Sequence, residues 1–393
     1  MFPCVRAALR RIQEDLAHIL DANQITDVCR EVGYCFRKRL LDPITTIQLF
    51  VVQILNGNFA VARLQDFSDE EFSEAAYCKA RCRLPLGVLQ TLLQRVGAAL
   101  RTTLDDAGRW CGHRLFHVDG SAFSMPDTPE LQKEFGQPGC QRPGCGFPVA
   151  HILTLFHAGT GFLLKVLTAP LRTHDMAQAA LLHPELEEGD VLIADRAFCS
   201  FAHLALLLRR KLHGVFRAHQ RQIVDFHPHR AYNAPGHRVQ KGRPNSRWLK
   251  RLGVHDQLVE YFKPKPKERP TWMSAADYKA LPGSIVVREL RYQVPCGRRT
   301  REVTLVTTLL DAARYPATEL AQLYGQRWRI ETNLRHLKQT MKMDVLRCET
   351  VQGVLKELTV FALVYNLVRA VTYEASQRQE VPVERISFAD ALG

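Results

Sequence analysis

The sequence lacks any apolar run long enough to cross a membrane. A transmembrane helix needs about 18 or more consecutive apolar residues. The longest apolar run, Thr359 to Val371, is interrupted by Asn366 and Arg369. The first residues, MFPCVRAALRRIQEDL, become charged at once, so they lack the apolar segment of a secretory signal. These absences predict a soluble protein in the cytoplasm.

The 11 cysteines also lack a regular spacing pattern, and no internal repeat stands out. The pairs Cys78/Cys82 and Cys140/Cys145 have neither the CxxC spacing nor the nearby histidines of a zinc site. We therefore expect reduced, structural thiols.

Acidic residues are too few to balance the basic ones, since 53 Lys and Arg stand against 40 Asp and Glu and give a net charge of +13. The excess is concentrated between Arg209 and Arg251, where 12 Lys or Arg accompany a single acid, Asp225. Such a local concentration of positive charge indicates a polyanion as partner, and nucleic acid is the first candidate. A solvated basic loop without a ligand is the alternative.

The N-terminal part of the chain reads as helical. Residues 1–110 are predicted to form a helical, DNA-binding domain that includes helices at Pro43–Leu55 and Pro85–Leu100. Six basic residues of this domain would either meet phosphates or merely solvate a helical bundle: Arg37, Lys38, Arg39, Lys79, Arg81 and Arg83.

From residue 111 onward the pattern predicts an α/β layer architecture. The stretch Gly120–Pro148 is rich in Gly, Pro and Ser and is expected to be a loop. The predicted elements are the strand Arg114–Asp119, the hairpin strands His151–Phe156 and Gly161–Leu167, the helix Thr173–Leu182, the strand Asp190–Asp195, the helix Ser200–Lys211 and the strand Val215–Ala218.

Residues 221–312 differ from the α/β domain, whose predicted parts are residues 111–220 and 313–393. They are rich in Pro and Arg and contain short alternating strands at Ser284–Tyr292 and Arg301–Leu309, which indicates a basic, β-rich insertion. An amphipathic helix from about Thr350 to Ser376 follows. Its apolar face would pack on the core or, alternatively, form a partner surface.

The segment LAQLYGQRWRIETNLRHLKQTMKM has no Pro and one Gly, Gly325, so it is predicted to be a single helix. At about 100° per residue, Tyr324, Arg327, Glu331 and Lys338 fall within an arc of roughly 60°. A carboxylate between two cations suits a metal ion and a phosphate, because Glu binds hard cations while Arg and Lys grip phosphate oxygens. The alternative is a solvated helix face with i,i+4 pairing.

Asp119 and Asp195 each end a hydrophobic strand, LFHVD and VLIAD. Ligand-binding groups collect at the carboxyl ends of strands in α/β sheets, so both carboxylates would project into one crevice that the Glu331 helix closes. Three clustered carboxylates need a cation, and oxygen ligands select Mg²⁺ or Mn²⁺ over zinc. Two such ions about 4 Å apart would catalyse an in-line phosphoryl transfer. Each aspartate could instead be a simple turn former.

These motifs resemble the DDE transposases of the bacterial insertion-sequence 4 family, whose hallmark is a Tyr-Arg-Glu-Lys motif at this spacing. The resemblance covers about residues 30–390, through LFHVDGS, VLIADRAF and YGQRWRIETNLRHLK. It implies a ribonuclease-H-like catalytic core with a β-rich insertion. It assigns catalysis and metal binding to Asp119, Asp195 and Glu331, and DNA binding to Tyr324, Arg327 and Lys338.

The resemblance further implies an Mg²⁺-dependent enzyme, with two ions that Mn²⁺ can replace, acting on double-stranded DNA. It would nick element ends and join the freed 3′-hydroxyl to target DNA, as a homodimer in the synaptic complex, at the nucleoid of a bacterium. In relatives a hairpin forms and a base flips onto an aromatic side chain. Trp272 is the first candidate for that stacking and Trp248 the second. Arg196 and His174 would lie near the acids, unless His174 only caps a helix.

Two alternatives compete with an active transposase. One is a catalytically retired, transposase-derived DNA-binding protein, for which the basic insertion would suffice. The other is a different metal nuclease of the same fold class, acting on junctions or RNA, against which the Tyr-Arg-Glu-Lys spacing argues. The sequence stops at SFADALG soon after its last long helix, whereas relatives often run on. We expect the catalytic core to be intact without such a tail.

Overall fold

The computed structural model describes residues 20–68, 71–100, 108–139, 141–142, 146–171, 173, 175–296 and 299–392. The interpretations of Cys140, Cys145 and His174 therefore concern residues outside the described ranges. Within those ranges, no helix is both long enough and apolar enough to cross a membrane. Every cysteine whose side chain is described is a free thiol.

Helices dominate both ends of the described part of the chain. Asp42, Ser200 and Thr350 act as N-caps, since each side chain accepts a hydrogen bond from a backbone N–H of the first turn. The α-helices of the described ranges are α1 (Ala22–Glu31), α2 (Pro43–Leu55), α3 (Glu74–Arg83), α4 (Leu86–Ala99), α5 (Pro129–Phe135), α6 (Asp175–Ala179), α7 (Phe201–Arg209), α8 (Ala275–Ala280), α9 (Ala317–Gly325), α10 (Trp328–Arg335), α11 (Val351–Arg378) and α12 (Phe388–Leu392).

One mixed sheet contains the nine strands of the described chain, in the order β3-β2-β1-β4-β5-β9-β8-β7-β6. The three strands β3, β2 and β1 are antiparallel, while β1, β4 and β5 run parallel. The strands are β1 (Leu115–Ser124), β2 (Val149–His157), β3 (Leu163–Pro170), β4 (Val191–Ala194), β5 (His213–Arg217), β6 (Ser246–Gly253), β7 (Asp256–Phe262), β8 (Ser284–Cys296) and β9 (Arg299–Thr307).

This arrangement confirms the predicted α/β class. Three antiparallel strands followed by two parallel ones is the succession expected for the ribonuclease-H-like core. The residues VLIA of β4 are all buried, as is typical of a parallel strand with helices on both faces of its sheet. The predicted helix Thr173–Leu182 is shorter than expected, because α6 passes into a 3₁₀ turn, Ala180–Glu185, that contains Pro184.

The prediction that Asp119 ends its strand is wrong, and the prediction of a loop over Gly120–Pro148 is wrong for Gly120–Ser124 and for Pro129–Phe135. Strand β1 continues to Ser124 because β2 supplies backbone partners along its whole length. Helix α5 then begins at Pro129, with Thr128 as its N-cap. Pairing with β4, however, stops at His117, so β1 runs on past the end of its parallel neighbour.

The segment predicted as one helix consists of α9, α10 and a π-helical turn, His336–Thr340. The path tightens at Gln326 and Arg327, whose backbone N–H groups bond carbonyls three residues back, although both residues keep right-handed helical angles. The π turn then widens the path. The prediction that Lys338 shares one helix face with Tyr324, Arg327 and Glu331 assumed a uniform rotation of about 100° per residue. Because the helical pitch changes twice in this segment, that assumption does not hold for Lys338.

Strands β6 to β9 extend the core sheet rather than forming a sheet of their own, since β9 pairs with β5. The predicted strands Ser284–Tyr292 and Arg301–Leu309 are confirmed as β8 and β9. Arg288 of β8 is fully buried and donates to Asp256 of β7 at 2.8 and 2.5 Å and to the Tyr315 carbonyl at 2.6 Å. This network fixes the chain just before α9.

Helix α11 packs its apolar face into the core, which confirms that interpretation over a partner surface. Its hydrophobic cluster includes residues of α1, α2 and α4, so the N-terminal helices share a core with the C-terminal part. Arg81 belongs to this junction. Its guanidinium lies 3.8 Å from the centre of the Phe50 ring and donates to Gln53 and to Cys348 Sγ. Arg81 is therefore a packing residue, unlike the exposed Lys79 and Arg83.

We expect Asp256→Asn to lower the free energy of unfolding by about 3–5 kcal/mol, because it leaves the buried Arg288 guanidinium without its charge partner. The matched control is Arg247→Gln, which removes a more exposed pair with Glu260, between β6 and β7, and should cost less than about 1 kcal/mol. Urea denaturation followed by circular dichroism measures both. Similar losses in the two variants would contradict the role given to the buried pair.

Candidate active site

The candidate site lies at the point where β1 and β4 stop pairing. Their parallel pairing ends at His117 and Ile193, and β4 itself ends one residue later. Continuing the same register places Asp119 opposite Asp195. The two carboxylates therefore face one crevice at the carboxyl end of β4, although Asp119 lies inside a strand rather than at its end.

Backbone groups hold one oxygen of each aspartate. Asp119 Oδ1 accepts the N–H of Gly120 at 2.9 Å, and the Asp119 carbonyl accepts the Thr154 hydroxyl at 2.9 Å. Asp195 caps the 3₁₀ turn that follows β4, and its Oδ1 accepts the N–H of Ala197 at 2.7 Å. In both residues the second carboxylate oxygen, Oδ2, has no backbone partner within the described chain.

Arg327 joins Asp119 to Glu331. Its Nη1 lies 3.3 Å from Asp119 Oδ2, and its Nη2 lies 2.7 Å from Glu331 Oε1. The Arg327 and Asp119 side chains are 21% and 25% exposed, whereas Glu331 is 62% exposed. The Arg327–Asp119 pair is therefore better shielded from water than the Arg327–Glu331 pair. The i,i+4 pairing considered as an alternative is thus present, but it is anchored to the first aspartate.

Negative charge is crowded at this crevice. The pKa of the Asp119 carboxyl is raised to about 6, chiefly by burial and in addition by the charges of Asp195 and Glu331. The Gly120 N–H and the Arg327 guanidinium act in the opposite direction without cancelling the rise. Asp195 and Glu331 therefore both lie within electrostatic range of Asp119.

The other two residues of the predicted motif, Tyr324 and Lys338, make no hydrogen bond to the three acids within the described chain. Burial raises the pKa of Tyr324 to about 12, and its ring packs on the hydrophobic cluster formed by β4, β5 and α9. Lys338 lies in the π turn and is half-buried. Among the described residues, its ammonium makes no hydrogen bond or ion pair with the three acids, so its DNA-binding role stays a prediction.

Arg196 and Trp272 occupy different surroundings. Arg196 directly follows Asp195 and donates from Nη1 to Gln220 Oε1 at 3.1 Å. Trp272 is half-buried and packs against the hydrophobic cluster beside α7, as a core residue would. Stacking of a base on Trp272 therefore stays a prediction without support from its position.

Sequence reasoning missed one residue beside the acids. Arg217 ends β5, and because Ala194 pairs with Phe216, it lies next to Asp195. Burial lowers the pKa of Arg217, and the charges of Arg301 and Arg196 lower it further, so two other guanidinium groups lie within electrostatic range of Arg217. The rule that identified Asp195, a charged residue ending a buried strand, would also have found Arg217.

The donor chemistry of the crevice suits a hard divalent cation, because all three acids supply carboxylate oxygens. As the side chains stand, however, no group of three His, Cys, Asp or Glu residues in the described chain converges closely enough to hold a metal. Arg327 lies between two of the acids instead. To share an ion, the acids would have to rearrange around Arg327.

Comparison with known proteins agrees with these features. A family model described as "Transposase DDE domain" matches residues 110–367. The chain is 27% identical over 262 residues to "Transposase InsG for insertion sequence element IS4" of Escherichia coli (strain K12), covering 66% of this chain and 52% of that protein. It is 31% identical over 131 residues to "Putative transposase InsZ" of the same organism, covering 30% and 44%. The chain thus spans about half the length of the curated relatives it matches.

We expect the Asp119 carboxyl to titrate near pH 6 in the metal-free protein, as followed by ¹³C NMR of the carboxyl carbon. Asp195→Asn should lower this midpoint by removing a repelling charge, and Arg327→Gln should raise it by removing an attracting one. A raised carboxyl pKa favours the fold only while the group is protonated, so this contribution to stability is lost as pH rises through about 6.

Glu319→Gln, an exposed acid on α9, is the control and should leave the Asp119 midpoint in place. An Asp119 midpoint near its ordinary value of 3.8 would contradict the crowding of charge at the crevice.

Proposed function

Because this chain belongs to the transposase DDE domain family, we propose that it cleaves DNA at the ends of an insertion sequence and joins the 3′-hydroxyl ends to target DNA. The observation that supports this best is the contact of Arg327 with both Asp119 and Glu331, beside Asp195. Arg327 and Asp119 are 208 positions apart in the chain, so only the fold brings them together.

We propose that Asp119, Asp195 and Glu331 hold two Mg²⁺ ions, which Mn²⁺ can replace. Divalent ions bound there would activate the attacking water or 3′-hydroxyl and stabilise the leaving oxygen of an in-line displacement. The protein's own part is to fix the carboxylates. The Gly120 and Ala197 N–H groups orient the two aspartates, and α10 brings Glu331 to the open side.

In this proposal, the cations around the acids bind the DNA backbone. Arg327, Lys338 and Arg196 would grip phosphates beside the cleaved bond, and Tyr324 would position one of them. Arg217 adds a further guanidinium on the β5 side, where Arg301 and Arg196 lie within electrostatic range of it and neither Arg217 nor Arg301 has an acidic partner among the described residues. Stacking of an extruded base on Trp272 would complete the contacts.

The wider surface supports double-stranded DNA as the partner. The basic stretch from Arg209 to Arg251 runs from the end of α7 through β6, the outermost strand of the sheet extension. Its positive charge would contact phosphates away from the cleaved bond. Joining two element ends calls for a homodimer in the synaptic complex, and both relatives come from a bacterium, where the nucleoid would be the place of action.

We expect Asp119→Asn, Asp195→Asn and Glu331→Gln each to reduce DNA cleavage by about a thousandfold or more, because each removes several kcal/mol of transition-state stabilisation. DNA binding should persist in all three. The assay uses DNA carrying the inverted repeats that flank the gene, with Mg²⁺ or Mn²⁺, and separates nicked, excised and joined products on gels.

Glu319→Gln, an exposed acid of α9, is the control and should cleave like the parent protein. A parent protein that binds this DNA and never cuts it would instead indicate a retired, DNA-binding descendant of a transposase. Preferential cleavage of RNA would indicate a different nuclease.

A further inference from the structure

Arg327 occupies a competitive position in the candidate site. Of the two Asp119 oxygens, Oδ1 is held by the Gly120 N–H, and Arg327 takes Oδ2. Its other nitrogen, Nη2, takes Glu331 Oε1 at 2.7 Å. A single guanidinium therefore engages one oxygen of each of two acids that would bind a divalent ion.

A cation and the guanidinium cannot use the same oxygen lone pairs at once. A divalent ion carries twice the charge of Arg327 and needs several oxygen ligands around it at about 2.0–2.6 Å. The 3.3 Å contact with Asp119 is long for a charge-assisted hydrogen bond, so it is the weaker of the two Arg327 contacts. Binding of an ion would break this contact first.

The position of Arg327 in the backbone would allow its side chain to move away from the two acids. Arg327 lies in the two-residue turn between α9 and α10, outside the regular part of either helix. Its side chain is partly exposed, and the neighbouring cations, Arg196 and Arg217, already make this side of the crevice attractive to phosphate. A guanidinium released from carboxylates matches the geometry of a phosphate, which it can bind with two parallel N–H groups.

We propose that Arg327 gates the metal site: its guanidinium neutralises Asp119 and Glu331 until a divalent ion displaces it, and the freed group then binds a DNA phosphate. The proposal rests on the proposed function, because it requires these acids to hold the ion. It gives Arg327 opposite effects on two ligands, since it opposes the metal in the free protein and favours DNA in the complex.

A merely structural role for Arg327 predicts a different outcome. If the guanidinium only aligned Glu331 with Asp119, its removal would misplace the acids and weaken the binding of the ion. If it only gripped DNA, its removal would leave metal binding in the absence of DNA unchanged. Metal affinity without DNA therefore separates the three roles by the sign of the change.

The experiment titrates Mn²⁺ alone into the full chain by calorimetry, without DNA. Arg327→Gln should bind Mn²⁺ roughly tenfold more tightly than the parent, which is the size of effect expected when two competing, part-exposed ion pairs are lost. Arg327→Lys should fall between the two, because one ammonium cannot span both carboxylates. The same Arg327→Gln protein should bind DNA more weakly.

Arg329→Gln is the matched control. It removes an arginine two positions further along the chain, in α10, that pairs with Glu384 at 2.9 Å instead of the acids, so its Mn²⁺ affinity should equal that of the parent. Thermal melts confirm that each variant is folded.

Equal or weaker Mn²⁺ binding by folded Arg327→Gln would overturn the gate, provided that the parent binds Mn²⁺ and Asp119→Asn does not. If neither the parent nor Arg327→Gln binds Mn²⁺ at millimolar concentration, the proposed metal site itself fails, and with it the proposed function. Binding by Arg327→Gln alone would support the gate in its strongest form.

Discussion

Repulsion among Asp119, Asp195 and Glu331 is the constraint on which the rest of this site depends. Three carboxylates in one partly shielded crevice cannot all ionise without a cost in free energy, and the pKa of Asp119 is raised by burial first and by the charges of Asp195 and Glu331 in addition. One guanidinium, that of Arg327, offsets part of that cost. The same excess of negative charge would attract divalent ions and, without them, would repel a DNA phosphate, so the proposed binding of metal and of DNA would be coupled by charge.

The fold holds this unfavourable arrangement together by elements distant from it. Parallel pairing of β1 with β4 sets the two aspartates side by side, and the start of α9 is fixed by two buried contacts. Arg288 donates to the Tyr315 carbonyl, and the Tyr315 hydroxyl lies 2.8 Å from His113 Nε2. The strands beyond β5 thus anchor the helices that deliver Glu331, which gives the β-rich extension a structural purpose in addition to its positive charge.

The sequence predicted those features that local patterns determine. Helix α2 begins at Pro43 after an Asp cap, and the acids stand where hydrophobic strands meet the crevice. Features set by distant partners escaped prediction. Strand β1 continues through Gly120 because β2 supplies its hydrogen bonds, and Arg81 is a core residue because Phe50 and Cys348 surround it. The contact of Arg327 with Asp119 likewise depends on tertiary structure alone.

The most direct measurement is anomalous scattering from crystals of the protein bound to its own terminal DNA and soaked in Mn²⁺. We expect manganese peaks between Asp119, Asp195 and Glu331, with the Arg327 guanidinium on a DNA phosphate rather than on Asp119. Manganese bound elsewhere, or the three acids lying far apart in the DNA-bound protein, would contradict a metal-dependent DNA-cleaving site at this crevice.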